Sequence, residues 1–327
     1  MATLRAAEPP AADSSRVVRL EPAYDDRAAV WNSIVGDAPY DLMMALPGYT
    51  IAPDLDPSVM PWFRRYWAEN GRCDDAKLDP LFRDARFIAA VREVMDTELV
   101  CPNRMMVNLM GPMGEGPPHR DTPSFRTAEP LPIWLLWVML ASDLFEDWRI
   151  PSCAAVSWFY DGRDGAYEYW PDGRSSPSRR EEGPFGNSAV IANNERMFHR
   201  VGAIGTPEQR LAPGTITHAA TIDHLGHEGW TLIEDGRPVR SLGMDELRIS
   251  ILWNALAFPT ERAQWLYERG EEQLTVAMIN AELASALRGR GIDAVPEDPR
   301  VESGWTRLLR TEFPMPDLPK LLGGAAN

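Results

Sequence analysis

The chain has 327 residues, with 33 lysines and arginines against 48 acids and a formal charge of −15. Such a balance argues against a polyanionic partner held through its phosphates, because nucleic-acid binding draws on clustered cations and counterion release, and it disfavours an anionic lipid surface for the same reason. Lys77 and Lys320 are the only lysines and neither follows a glycine-rich run, which excludes the phosphate-loop nucleotide enzymes.

Residues 1–22, rich in Ala, Pro and Arg, are expected to form a flexible tail, and 23–327 one domain. Residues 23–100 read as mostly helical. Within 84–95, Phe87, Val91 and Val94 recur three and four apart behind Asp84, a good N-cap. From Cys101 the pattern changes to short runs rich in β-branched and aromatic residues, separated by Gly, Pro, Asn and Asp. Residues 101–258 are therefore expected to be a β-sandwich or barrel, mainly β with flanking helices. Within this core, 158–170 carries two turn clusters around an aromatic run, a hairpin signal, and reads either as a substrate wall or as ordinary core. After Pro259 helix returns. Thr260 caps a segment through Trp265, Leu266, Leu274, Met278 and Leu283 to the Gly289/Gly291 stop, and Asp298-Pro299 opens another short helix. These last helices, in 259–327, either cover the β core or form a homodimer contact.

Cys73, Cys101 and Cys153 form no CxxC, and an odd number cannot all pair, so reduced thiols in a cytoplasmic protein are expected and a thiolate zinc site is not. Residues 1–22 lack the apolar core of a secretory signal. The longest apolar run, 133–141, falls far short of the about 20 residues that span a bilayer.

The chemistry concentrates at His119-Arg120-Asp121, which follows a Gly- and Pro-rich approach. On an extended segment the two-residue period puts the His119 imidazole and the Asp121 carboxylate on one face, with Arg120 pointing away. One neutral nitrogen and one anionic oxygen make a half-site for a divalent transition metal. Downstream, 186–201 reads as a strand, a polar turn and then His199 entering the next strand. Later still, Leu247 to Trp253 alternates strictly, with Arg248 and Ser250 on one face and Leu247, Ile249, Ile251 and Trp253 on the other. A guanidinium and a hydroxyl on the inward face of a buried strand need a partner, and a bound carboxylate suits both.

An HxD pair, a distal histidine and a late Arg-x-Ser, in that order, resemble the iron(II)- and 2-oxoglutarate-dependent dioxygenases over roughly residues 104–254. The resemblance implies a double-stranded β-helix (jelly-roll, cupin-like) core. It implies that His119, Asp121 and His199 bind the metal, that Arg248 and Ser250 hold the far carboxylate of 2-oxoglutarate, and that O2 is the co-substrate. Asn108 is a further residue for contacting cosubstrate or substrate, or else a strand amide satisfied by neighbouring backbone. The activity implied is hydroxylation, desaturation or cyclisation at an unactivated C–H bond of a small molecule such as an amino acid or a secondary-metabolite intermediate, with release of succinate and CO2. An intact Asp121 disfavours halogenation, because related halogenases carry a small residue there. Two rivals stand beside this reading: a non-catalytic jelly-roll binding protein, and a cupin-type metal hydrolase or isomerase, which has no need of the Arg248 clamp.

The chain departs from the family pattern at one place. Arg248 lies 49 residues beyond His199, and the intervening insertion, about 202–246, carries His218, Asp223, His224, His227 and Glu228. Either this segment lies over the site, or one of its histidines, His218 for instance, is the distal ligand. The group from Asp223 to Glu228 could also hold a second metal, though histidines in a polar loop are more often simply solvated.

Overall fold

A computed structural model describes residues 14–43, 60–212, 214–225 and 229–314. In chain order the strands are β1 (Val17–Leu20), β2 (Tyr40–Leu42), β3 (Trp62–Ala68), β4 (Val100–Met110), β5 (Ser152–Tyr160), β6 (Tyr167–Trp170), β7 (Arg179–Glu181), β8 (Phe185–Ala192), β9 (Phe198–Val201), β10 (Thr221–Asp223), β11 (Trp230–Glu234), β12 (Arg237–Leu242) and β13 (Arg248–Ala257). The helices are α1 (Arg27–Gly36), α2 (Asp79–Phe82), α3 (Ala85–Met95), α4 (Ile133–Ser142), α5 (Glu261–Arg269), α6 (Val276–Gly289) and α7 (Gly304–Glu312).

Ten strands form one antiparallel sheet in the order β1-β8-β5-β13-β4-β3-β2-β10-β11-β12, and β7-β6-β9 form a second. The segment 113–119 lines up beside β9 through the bridges Met113–Ile204 and His119–His199. The chain thus passes back and forth between two layers. β4, β5, β8 and β13 lie in the large sheet, while the connecting 113–119, β6, β7 and β9 lie in the small one. Two four-membered layers wound in this way are a double-stranded β-helix, the fold expected from the resemblance.

Central strands of such a fold are buried on both faces and read as continuous apolar runs. Every residue of β5 is buried, as are eight of the ten residues of β13 and the last six of β4. Outside the large sheet, α3 supplies the cover, with Asp84 capping its first turn and Phe87 and Val91 facing inward, as the periodicity predicts. Phe87 lies 5.6 Å from Trp253 of β13, whose indole N–H donates to the Phe82 carbonyl at 2.8 Å.

Several elements differ from the sequence expectation. Residues 17–20 are not tail: Val17 to Leu20 pair with Ala192 to Ala189, because β-branched residues beside an open strand edge gain both a ladder and burial. The described residues of 23–100 are not mostly helical either. Trp62–Ala68 is a strand beside β4, and its Trp-Phe…Tyr-Trp composition is the signal that the helical reading passed over. The turn within 158–170 makes no hairpin, since β5 and β6 lie in different sheets and the turn is a jelly-roll corner. Trp158 meets Tyr167 across the two layers at 5.7 Å.

The segment after Thr260 breaks in two. Gly270 ends α5 in the left-handed conformation and Thr275 caps α6 afresh. The last helix starts at Ser303 rather than at Asp298, whose carboxylate is engaged by Arg300. Helices α6 and α7 pack with α4 around Leu135, Val138, Leu283, Leu287, Trp305 and Leu309, in a core of their own. The insertion builds β10, β11 and β12, which extend the large sheet beyond β2.

Candidate metal centre

His119 and His199 face each other across an antiparallel bridge. Each amide donates to the other's carbonyl at 2.9 Å. Directly opposed residues of such a pair project to the same side, which brings the two rings to 4.4 Å between centroids. Asp121, two residues on, shares that side, and its amide donates to the Asn194 carbonyl at 2.8 Å. Its Oδ1 is 3.5 Å from His199 Nε2. One ligand atom from each of His119, Asp121 and His199 lies within 4.8 Å of the others, the one such group of metal-ligating side chains among the described residues.

Backbone carbonyls settle the tautomers. His119 Nδ1 lies 3.0 Å from the Pro117 carbonyl and His199 Nδ1 lies 3.2 Å from that of Met197. A carbonyl only accepts, so the proton sits on Nδ1 and Nε2 is left as the donor lone pair, the outer-shell pattern of metal-binding histidines. Burial, then the His119 imidazole, pushes His199 down to about 4, against the opposing pull of Asp121, so the ring is neutral at pH 7. As the alternation predicts, Arg120 turns away. Its guanidinium lies between Trp137 (5.3 Å) and Phe198 (5.1 Å).

Arg248 and Ser250 lie on the inner face of the large sheet. Arg248 is 3 % exposed; its Nε donates to the Gly165 carbonyl at 2.8 Å and its Nη1 to Ser250 Oγ at 3.0 Å. No carboxylate among the described residues pairs with it, and burial pushes the guanidinium below its usual value. Gly165 is required here. It has φ +71°, and a Cβ would come within 2.8 Å of Arg248 Cδ and 3.0 Å of Ile204. Tyr167 stands between the two groups, 5.7 Å from His199 and in contact with Trp158, which lies opposite Ser250. Asn108, also opposite Ser250 and buried, is satisfied by side chains rather than backbone: its Oδ1 accepts from Trp62 Nε1 (3.0 Å) and Arg64 Nε (2.7 Å).

Sequence reasoning did not find the supporting charge pair. Glu195 is 1 % exposed, accepting from Ser152 Oγ at 2.6 Å and from Arg149 Nη2 at 3.1 Å. Burial raises its carboxyl to about 7, outweighing both partners. It belongs to the Asn-Asn-Glu turn whose Asn194 carbonyl seats Asp121. His218 is exposed and outside the cluster, and His224 lies against Trp230 at 5.1 Å. His227 and Glu228, half of the second-metal group, lie outside the described residues.

A double-stranded β-helix with two histidines and a carboxylate converging between its layers is the class that the fold and the site define. The chain is similar in structure to a 2OG-Fe(II) oxygenase family oxidoreductase from Burkholderia pseudomallei, at 11% identity and TM-score 0.40, over 73% of this chain and 84% of that one. It is similar to the non-heme alpha-ketoglutarate-dependent epimerase SnoN from nogalamycin biosynthesis, at 12% identity and TM-score 0.41, over 89% and 92%. A third, HygX from Streptomyces hygroscopicus with nickel and 2-oxoglutarate bound, shows 10% identity and TM-score 0.40 over 76% and 85%. No protein-family model matches the chain, and no curated protein matches it in sequence. No helix among the described residues is long and apolar enough to cross a membrane.

Proposed function

We propose that the protein is an iron(II)- and 2-oxoglutarate-dependent oxygenase acting on a C–H bond of a small molecule. The observation that carries the reading is a pair of features on one interior. Three metal-ligating atoms converge within 4.8 Å, and a buried guanidinium with a hydroxyl beside it lies across from them without a carboxylate among the described residues. The donor set fits iron(II): two neutral imidazole Nε2 atoms and one carboxylate, leaving the remaining positions open. A charge as buried as Arg248 is costly unless an anion compensates it, and the far carboxylate of 2-oxoglutarate is the anion that fits a guanidinium-hydroxyl pair.

When bound, iron(II) and 2-oxoglutarate supply the oxidation of a C–H bond by O2, with release of succinate and CO2. The chain's own contribution is positional. His119 and His199 present fixed lone pairs, and Asp121, anchored through Asn194, adds the anionic oxygen. Arg248 and Ser250 orient the cosubstrate, and Tyr167 and Trp158 wall the space between the two groups and keep it apolar. Asn108 steadies the inner wall beside Ser250. A cupin-type hydrolase would use the same three ligands but leaves Arg248 without a task. Hydroxylation of an amino acid or a secondary-metabolite intermediate in the cytoplasm is the form of the reaction proposed. The test is metal-dependent succinate formation from 2-oxoglutarate by anaerobically reconstituted protein. Loss of that signal in His119→Ala and Asp121→Ala is expected, and no succinate across a broad substrate panel sinks the proposal.

A further inference from the structure

The inner face of β3, β4 and β13 continues past Arg248. Strand alternation and register place Trp62, Arg64 and Tyr66 of β3 beside β4 positions 110, 108 and 106, with Arg104 of β4 opposite Asn254 of β13. The inward positions of these three strands include three arginines and no acid, in a chain of net charge −15. Exposure changes along the wall. At the Arg248 end Asn108, Ser250 and Arg248 are buried, whereas Tyr66, Arg104, Leu252 and Asn254 are half-buried and reachable from solvent. Arg104 lies four residues from Asn108 along the strand, about 13 Å at the rise of a β-strand.

Arg104 is the unusual group. Its Nε is buried and has no hydrogen-bond partner, and no carboxylate among the described residues pairs with it. Its guanidinium is held over the Tyr66 ring at 5.8 Å, while Arg64 approaches the other residues of the same wall, 5.9 Å from Tyr66 and 5.3 Å from Trp62. A buried donor left unpaired is costly, and a planar guanidinium fixed against an aromatic ring is prepared to grip an oxyanion. Through Asn254 and Ala154 the row of Arg104 runs across the sheet to Ala192, two residues before the Asn194 that seats Asp121. The guanidinium therefore lies level with the metal-ligating end of the interior, on the open side.

We infer that Arg104 is a substrate-binding residue, and that the substrate is an amphipathic acid. Its carboxylate or phosphate pairs with Arg104, and its apolar body lies over Tyr66 and Leu252 toward His119, Asp121 and His199. The oxygenase reading supplies the direction of the substrate; the anion subsite itself rests on the wall.

Calorimetric titration of the folded protein with phenylacetate, phenyl phosphate and the neutral phenylacetamide tests this, with the two acids separating carboxylate from phosphate recognition. At least one acid is expected to bind about tenfold or more tightly than the amide, with Arg104→Gln losing that margin and Arg104→Lys keeping part of it. Melting temperatures near that of the wild type establish that the variants are folded. Equal binding of acid and amide, no binding of either acid at millimolar concentration, or unchanged acid binding in Arg104→Gln overturns the inference. A loss in Arg248→Met instead places the acid in the inner pocket and overturns it too. Succinate formation, measured on the same preparations, reports separately on the oxygenase reading. Acid binding through Arg104 without metal-dependent succinate retains the subsite and removes the reaction.

Discussion

Replacing Arg248 by methionine separates its two electrostatic roles. In the protein without cosubstrate the guanidinium is a buried cation bonded to the Gly165 carbonyl and Ser250 Oγ, with a Met110 sulfur at 3.7 Å and the Tyr160 hydroxyl beside it. Methionine fills a similar volume and removes a desolvation cost of several kcal/mol. It also takes the guanidinium donor from Ser250 Oγ, at about 1–3 kcal/mol, while the Gly165 carbonyl keeps the Tyr160 hydroxyl at 3.3 Å. The two effects nearly cancel, so the variant is expected to melt within a few degrees of the wild type. The cosubstrate tells a different story. Truncating one partner of a buried, hydrogen-bonded charge pair costs about 2–5 kcal/mol, which is a weakening of roughly thirtyfold to several-thousandfold in Kd. In the wild type, with manganese(II) in place of iron to prevent turnover, 2-oxoglutarate at about a hundred times its Kd adds about 2.7 kcal/mol of stability. At the same concentration Arg248→Met is expected to show little or none of that shift in a thermal melt. A variant that melts normally and keeps the full 2-oxoglutarate shift refutes the assignment of Arg248 as the clamp.

Four further outcomes follow from the same geometry. His119→Ala is expected to lose iron by more than the roughly 10–100-fold that supporting residues are worth, while His218→Ala retains it, as metal analysis after desalting will show. Gly165→Ala forces a Cβ against Arg248 at a left-handed φ, so it is expected to weaken 2-oxoglutarate binding and to cost about 1–2 kcal/mol in a denaturant titration. Since His199 resists protonation until about pH 4 while an unfolded imidazole takes up its proton near 6.5, the metal-free protein is expected to lose stability as pH falls between those values. Imidazole NMR and melts across that window check both the value and the sign. Trp253→Ala removes a fully buried indole and its bond to Phe82, at about 3–5 kcal/mol by chemical denaturation, without touching metal content.

The parts of the site that were legible in the sequence are those with a local period. His119 and Asp121 share a face because an extended chain alternates, and Arg248 and Ser250 were separable from Ile249 and Ile251 for the same reason. His199 could be read from the strand and polar turn before it. What stayed hidden depends on pairing between distant segments. Glu195 and Arg149 are 46 residues apart, and an ion pair leaves no mark on either local pattern. The Gly- and Asp-rich corner after Tyr160 looks the same whether the chain folds back beside its own strand or crosses to the opposite layer. Reading Trp62–Ala68 as helix concealed a whole wall of the interior, and with it the neighbours of Asn108.

The strand β1 has a practical consequence. It covers the flank of β8, whose Ala189-Val190-Ile191-Ala192 is entirely buried, and it places Arg19 within reach of Glu181 at 3.2 Å. Trimming the first 22 residues as though they were dispensable turns β8 into a bare apolar edge, ready to pair with the same edge of another molecule. Such a shortened protein is expected to elute from a sizing column as aggregates. A purification tag at that end therefore belongs ahead of Val17, with which the ladder to β8 opens.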